Sequence, residues 1–152
     1  YGGGLASYWS PITVEDCLFV GNQATIGAGL LAWNRATVVN CVFVANKAVP
    51  RPNDPYPEIG GFGAGACAYA FQPHEMDLIN CTIAFNTGKK LVGACGEWNA
   101  TVNLRNSIVW GNVASHPDFK GYFREQVGGF DAGSVGGMFS ASNGMRFRLC
   151  AL

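Results

Sequence analysis

A segment that returns four times along the chain limits its fold more than any other feature. Asp16-Cys17-Leu18-Phe19-Val20-Gly21-Asn22 recurs as Asn40-Cys41-Val42-Phe43-Val44-Ala45-Asn46, as Asn80-Cys81-Thr82-Ile83-Ala84-Phe85-Asn86 and as Asn106-Ser107-Ile108-Val109-Trp110-Gly111-Asn112. In each copy the Cys or Ser is preceded three residues earlier by an aliphatic side chain (Val14, Val38, Leu78, Leu104) and followed five residues later by Asn. A glycine-rich opening lies upstream of each: Gly2-Gly3-Gly4-Leu5, Gly27-Ala28-Gly29-Leu30, Gly63-Ala64-Gly65-Ala66 and, less regularly, Gly93-Ala94-Cys95-Gly96. The Cys/Ser positions are separated by 24 residues from 17 to 41, by 40 from 41 to 81 and by 26 from 81 to 107. Such periods are those of solenoids, in which each repeat buries its apolar side only by stacking on its neighbours.

Within a copy the period is two. Cys17 and Phe19 share one side of the chain while Leu18 and Val20 share the other, which is strand alternation and excludes the helical solenoids. The long interval is read as an ordinary coil carrying insertions. One is the Pro-rich stretch Val49-Pro50-Arg51-Pro52-Asn53-Asp54-Pro55-Tyr56-Pro57, since proline lacks the N–H that a ladder needs. A smaller one is expected near Gln72-Pro73-His74-Glu75.

With one coil per repeat, equivalent residues stack about 4.7–4.9 Å apart and four coils give a rod roughly 19 Å long. Cys17, Cys41 and Cys81, with Ser107, are then one internal ladder. Phe19, Phe43, Ile83 and Val109 are a second, and Asn22, Asn46, Asn86 and Asn112 a third at a corner. An amide suits a corner because it satisfies backbone groups that leave the sheet and bonds the amides above and below. It also tolerates the left-handed backbone a sharp bend can need. The glycine openings mark another bend, where positive φ and close backbone approach are expected.

The Gly-Gly-Ala/Gly-aliphatic openings with the Phe-x-x-Asn segments (Phe19 to Asn22, Phe43 to Asn46) resemble polymorphic outer-membrane protein repeats. More broadly, the chain is similar to the pectate-lyase-like right-handed β-helices of bacterial secreted and surface proteins. The expected fold is therefore all-β: a right-handed, single-stranded parallel β-helix of about four coils over residues 1–112, with an inserted loop at 47–62. Residues 113–152 are expected to be an irregular tail, a cap or a degenerate last coil. Val127-Gly128-Gly129 and the alternating Met145, Phe147 and Leu149 offer the material for such a coil. The resemblance also implies a secreted or cell-surface location in bacteria.

Composition narrows the partners. The chain has 152 residues, enough for one domain, and its 10 basic and 10 acidic side chains cancel, with only 13% of residues charged. No basic footprint for a polynucleotide exists, so no nucleic-acid partner is expected. No window has the roughly 18 consecutive apolar residues of a membrane-spanning helix, and Tyr1-Gly2-Gly3-Gly4 lacks the regions of a signal peptide. The abundance of glycine, with short runs of Val, Ile, Leu and Ala, predicts almost no helix.

Six cysteines would ordinarily suggest a disulfide framework. Cys17, Cys41 and Cys81 share a repeat position with Ser107, however, which predicts free thiols packed as small core side chains. The redox state of Cys67, Cys95 and Cys150 is left open. No Cys/His spacing suggests zinc, and the only histidines are His74 and His116. The acidic residues are scattered, and the one cluster worth naming as catalytic takes Asp54 and Glu58 with His74, Glu75 and Asp77, because both insertions belong to one coil or its neighbour. Charged loop residues are more often simply solvated. Tyr8, Trp33, Tyr69 and Trp98, with Trp9, follow the glycine openings by similar distances and are the ligand-binding candidates: an aromatic stripe along one edge that stacks on a sugar or a partner protein.

Two functions follow as expectations. The first is a non-enzymatic, adhesin-like structural solenoid that binds glycan or a surface protein, or assembles end to end as a homo-oligomer. The alternative is a β-helix polysaccharide lyase or glycoside hydrolase, which the resemblance would furnish with clustered carboxylates, a basic residue and often calcium. No cofactor is expected for the first; calcium belongs only to the second.

Overall fold

The computed structural model describes residues 1–51, 60–116, 127–130 and 146–148. It shows a parallel β-solenoid of about four turns, and among the described residues no helix occurs. Every strand pair is parallel, and the strands form an eight-stranded sheet and two four-stranded sheets. The first face carries Leu5–Ser7 with Ile12–Glu15, Leu30–Ala32 with Ala36–Val39, and then two longer strands, Ala66–Ile79 and Ala94–Arg105. The second face is built of Leu18–Val20, Val42–Val44, Thr82–Ala84 and Ile108–Trp110, and the third of Gln23–Ala24, Lys47–Ala48, Thr87–Gly88 and Val113–Ala114.

The expected ladders are present in register. Phe19 pairs with Phe43, Phe43 with Ile83 and Ile83 with Val109, and the two phenyl rings lie 4.7 Å apart and parallel to within 1°. They fill the lumen with Leu30, Val38, Met76, Leu78 and Val102, all of them fully buried. Each such side chain contributes about 1.5–3 kcal/mol by leaving water.

The asparagine ladder closes completely. Nδ2 of Asn22 donates to Oδ1 of Asn46 at 2.9 Å, Asn46 to Asn86 at 2.9 Å and Asn86 to Asn112 at 2.8 Å. The backbone N–H of each donor residue shares that same oxygen. The amide also reaches back to the preceding coil, Asn46 to the carbonyl of Phe19, Asn86 to that of Phe43 and Asn112 to that of Ile83. The left-handed residue at this corner is not the asparagine, as its tolerance for positive φ suggested, but its predecessor: Gly21, Ala45, Phe85 and Gly111, with φ of 66°, 56°, 56° and 63°. The asparagine contributes through its side chain alone.

The cysteine ladder is a corner device as well as part of the core, where Cys41 and Cys81 lie in the lumen cluster. Asp16, Asn40, Asn80 and Asn106 turn the chain with φ of 53°, 54°, 54° and 49°. The following thiol or hydroxyl then donates to the carbonyl two residues back, Cys41 to Val39 at 3.2 Å, Cys81 to Ile79 at 3.3 Å and Ser107 to Arg105 at 2.8 Å. It also accepts the backbone N–H of the equivalent residue one coil earlier, Cys17 to Cys41 and Cys81 to Ser107. Cys41 and Cys81 are buried, whereas Cys17, in the first coil, is exposed and not the internal residue expected.

The first three glycine openings do what their composition suggests, whereas the fourth lies two residues earlier than Gly93-Ala94-Cys95-Gly96 implies, because Ala94 pairs with Ala66. Gly27 takes φ of 62°, and a Cβ at Gly65 would sit 2.3 Å from the carbonyl oxygen of Gly93, so the coils approach too closely there for any side chain. The main insertion is tighter than residues 47–62. Lys47–Ala48 already pairs on the third face and Phe62 bridges Ile26 in the core, so the inserted residues fall between Ala48 and Phe62, a step that Thr25 alone makes one coil earlier. The smaller insertion also exists: Ala32 pairs with Ala68 and Ala36 with Met76, which leaves residues 69–75 opposite 33–35. In the tail, Val127–Phe130 pairs with Ala94–Glu97 and Arg146–Arg148 with Asn103–Arg105, two strands of a fifth row.

Candidate functional site

The first face buries residues on both of its sides in its leading half. Leu31, Cys67 and Cys95 point away from the lumen, yet they are fully buried in a second cluster with Ile26, Phe62, Leu91 and Val92. Trp33 and Tyr69 pack against this cluster and mark where the strand emerges at an edge. At that edge the aromatic stripe becomes a continuous ladder. Ring centroids are 5.5 Å apart for Tyr8 and Trp33, 4.9 Å for Trp33 and Tyr69, and 5.9 Å for Tyr69 and Trp98, each pair tilted. Tyr1 adds an edge contact to Trp33 at 6.4 Å, and the Arg51 guanidinium lies 5.5 Å from the Tyr1 centroid. The structure thus brings together all four ring candidates. Trp9, 85% exposed, makes no ring contact among those described.

The ladder is not uniform. Tyr8, Trp33 and Tyr69 each follow directly on in-register residues, Ser7, Ala32 and Ala68. In the fourth coil the residue paired with Tyr69 is Glu97, and Trp98 stands one position further on, beside a register shift between Trp98 and Ala100. Trp98 meets Tyr69 with φ of 62°, a left-handed conformation that costs an L-residue roughly 1–2 kcal/mol. Strain of this kind in a bulky residue gathers at functional positions, where surrounding structure holds it in place.

Glu97 is the residue that the sequence reading missed. It is 4% exposed, its Oε1 has no hydrogen-bond partner among the described residues, and burial pushes its carboxyl up to about 8 although the Lys90 charge pulls it down. At neutral pH this carboxyl is therefore mostly protonated. Burial, reinforced by the charge that Glu97 carries when ionised, pushes the neighbouring Tyr69 phenol up to about 12. The only sequence signal for Glu97 was its alignment with three aromatic residues, visible once Ala94 is set opposite Ala66.

The catalytic candidates separate. His74 and Glu75 line a cavity of about 370 Å³ on the first face with Arg35, Pro73, Asn99 and Thr101, and Arg35 pairs with Glu75 at 3.6 Å, both well exposed. Asp77 lies on the same outer side of its strand, because Met76 and Leu78 point inward, but it is held by Arg105 at 3.4 Å and by Nδ2 of Asn103 at 3.1 Å. Asp54 and Glu58 lie outside the described residues, as does Cys150. A second groove of about 510 Å³ runs over the third face past Lys47, Thr87, Lys89, Val113 and His116, and composition gave no hint of it. Among the described residues no group of three or more His, Cys, Asp or Glu is placed to hold a metal ion.

Compared with protein-family models, curated proteins and solved structures, the chain matches none. What the strand register shows is a parallel β-solenoid of about four turns, and no family.

Proposed function

We propose that this protein is a non-enzymatic β-helix solenoid of the secreted or cell-surface kind, and that its aromatic edge binds carbohydrate. The observation that carries the reading is the ladder of Tyr8, Trp33, Tyr69 and Trp98, one ring per coil, with neighbouring centroids 4.9–5.9 Å apart. Aromatic faces offer large rigid apolar contact at little conformational cost, and a row of them along a rod matches an extended chain of sugar rings better than a compact ligand. Tyr8 and Trp98 remain more than a third exposed while the inner two rings are anchored on the second cluster. The platform is thus preorganised, which reduces the ordering cost of binding. End-to-end association into a homo-oligomer belongs to the same reading, since stacking in parallel register is how each coil of a solenoid covers its neighbour. Size-exclusion chromatography decides that part, and a strictly monomeric folded chain removes it.

Glycan-array binding followed by tryptophan-fluorescence titration tests the main claim. Trp98→Ala is expected to weaken glycan binding at least tenfold, since one stacked ring is worth about 0.5–1.5 kcal/mol beyond its buried area. Unchanged binding in Trp33→Ala and Trp98→Ala would end the glycan reading.

The polar cavity containing His74 and Glu75 favours the second reading, a polysaccharide lyase or glycoside hydrolase. Against it, Glu75 and Asp77 are each engaged by an arginine, and neither stands as a desolvated acid opposite a free base. Incubation with acidic polysaccharides, with and without calcium, checks it: unsaturated products or new reducing ends would replace the binding-module reading.

A further inference from the structure

We propose that Cys67 and Cys95 form a covalent modification site, closed by oxidation to a disulfide that staples the third coil to the fourth. The two residues are in-register partners on adjacent parallel strands, and the Cys95 thiol donates to the Cys67 sulfur at 3.0 Å inside the second cluster. Neighbouring strands place such partners about 4.8 Å apart, within the roughly 4.4–6.8 Å between Cα atoms that a disulfide spans. The sulfurs must close by about 1 Å to reach the bond length of about 2.05 Å, a distance within the reach of side-chain rotation. Gly63 leaves the space: a Cβ there would stand 2.6 Å from Cβ of Cys67 and 2.8 Å from Sγ of Cys95.

The corner cysteines are aimed differently, although they too occupy equivalent positions in successive coils. Cys41 and Cys81 direct their thiols to the carbonyls of Val39 and Ile79 and receive the backbone N–H of Cys17 and of Cys41 in return. Of the described cysteine pairs, only Cys67 and Cys95 present sulfur to sulfur.

The chemistry is thiol–disulfide exchange with a small-molecule disulfide such as oxidised glutathione, or with the active-site disulfide of a protein oxidoreductase. The Cys67 thiolate attacks one sulfur of the oxidant and releases the first thiolate, giving a mixed disulfide. The Cys95 thiolate then attacks the Cys67 sulfur and expels the second. Two electrons pass to the oxidant, and the two protons lost from the cysteines finish on the two released thiols. Burial raises both cysteines' pKa in the finished fold, Cys95 most strongly. The reaction therefore belongs to the folding chain, before the second cluster closes over the pair. The parallel directions of the two side chains leave strain in the bond, so its stabilisation falls at the low end of what loop closure would give.

The test is made on the full chain, refolded from the reduced, denatured state in a glutathione redox buffer. The product is alkylated under denaturing conditions and peptide-mapped by mass spectrometry. The expected result is a peptide linking Cys67 to Cys95 and a melting temperature roughly 5–10 °C above that of the same material refolded with a reductant. A folded chain, judged by its β-sheet circular dichroism, with Cys67 and Cys95 both alkylated would overturn the proposal. So would either residue linked instead to Cys17 or Cys150. Cys95→Ala is expected to abolish the oxidant-dependent rise in melting temperature; if that variant does not fold, the wild-type map decides alone.

Discussion

The solenoid carries two side-chain ladders that differ in what holds them. The asparagine ladder repeats without exception through four coils, and the amides of Asn46 and Asn86 are each spent on neighbours above, below and behind them. The aromatic ladder repeats through three coils and then breaks register, with Glu97 in the ring position and Trp98 displaced into a left-handed backbone. The difference separates a structural requirement from a surface one. A buried corner must satisfy every N–H and C=O, so only one residue type serves in all four coils. A half-exposed edge has no such demand and tolerates a bulge, a strained φ and a buried acid.

The largest expected effect lies in the first ladder. Asn46→Ala removes the acceptor of both the backbone N–H and the side-chain amide of Asn22, and the donor to the carbonyl of Phe19, all in a residue with no exposed surface. Several buried polar groups lose their partners at once, so the expected loss is about 3–5 kcal/mol, read as a lower denaturant midpoint. A loss below about 1 kcal/mol would mean that water replaces the amide and that the ladder is no stricter than the edge.

Glu97→Gln tests the second ladder's anomaly and gives a pH signature. The carboxyl's value of about 8 in the folded chain stands above its ordinary 4.5, so between those values the unfolded chain loses a proton that the folded chain keeps. Stability then falls as pH rises from about 4.5 to about 8 and levels off above, the sign required when the native state binds more protons. Glutamine, always neutral, removes that slope. Glu97→Gln is expected to be near wild type at pH 4 and more stable by a few kcal/mol at pH 9. Chemical denaturation at the two pH values measures it; equal differences at both would place the carboxyl in a solvated setting.

Legibility in the sequence followed the same division. The coil, the three ladders, the lumen residues and both insertions could be read because each repeats a pattern whose physical cause is local: alternation for strands, Asn for a corner, Gly where backbones touch. The residues that take the left-handed corner were misassigned by one position. At Ala45 and Phe85 the backbone obeys the coil's geometry against the preference of its side chain, and a propensity argument chooses the asparagine beside them. Glu97 and the face-to-face thiols of Cys67 and Cys95 were hidden for another reason. They lie on the outer side of a strand, where alternation predicts exposure, and only the packing of Phe62, Leu91 and Val92 from other segments buries their surroundings. Asp77 was readable as an outward acid, but its engagement by Arg105 and Asn103 depends on register across a coil boundary.

The smallest effects compare the two ladders at one backbone conformation. Ala45 and Trp98 both hold positive φ, 56° and 62°, and glycine relieves either. Ala45→Gly loses only a methyl group at a position that glycine already fills in the first and fourth coils, as Gly21 and Gly111. It should stabilise by about 0.5–1 kcal/mol, the left-handed penalty less glycine's greater unfolded-state entropy. Trp98→Gly gains the same relief but gives up the ring contact with Tyr69, worth about 0.5–1.5 kcal/mol. Because the ring's buried area is lost as well, the melting temperature should fall modestly, by less than in Asn46→Ala, while glycan binding is lost. A Trp98→Gly chain that is clearly stabilised and still binds would show that the ring is strained for no return, and the edge would lose its claim as the site. A chain destabilised by several kcal/mol would instead make Trp98 as structural as the asparagines, and the contrast between the two ladders would disappear.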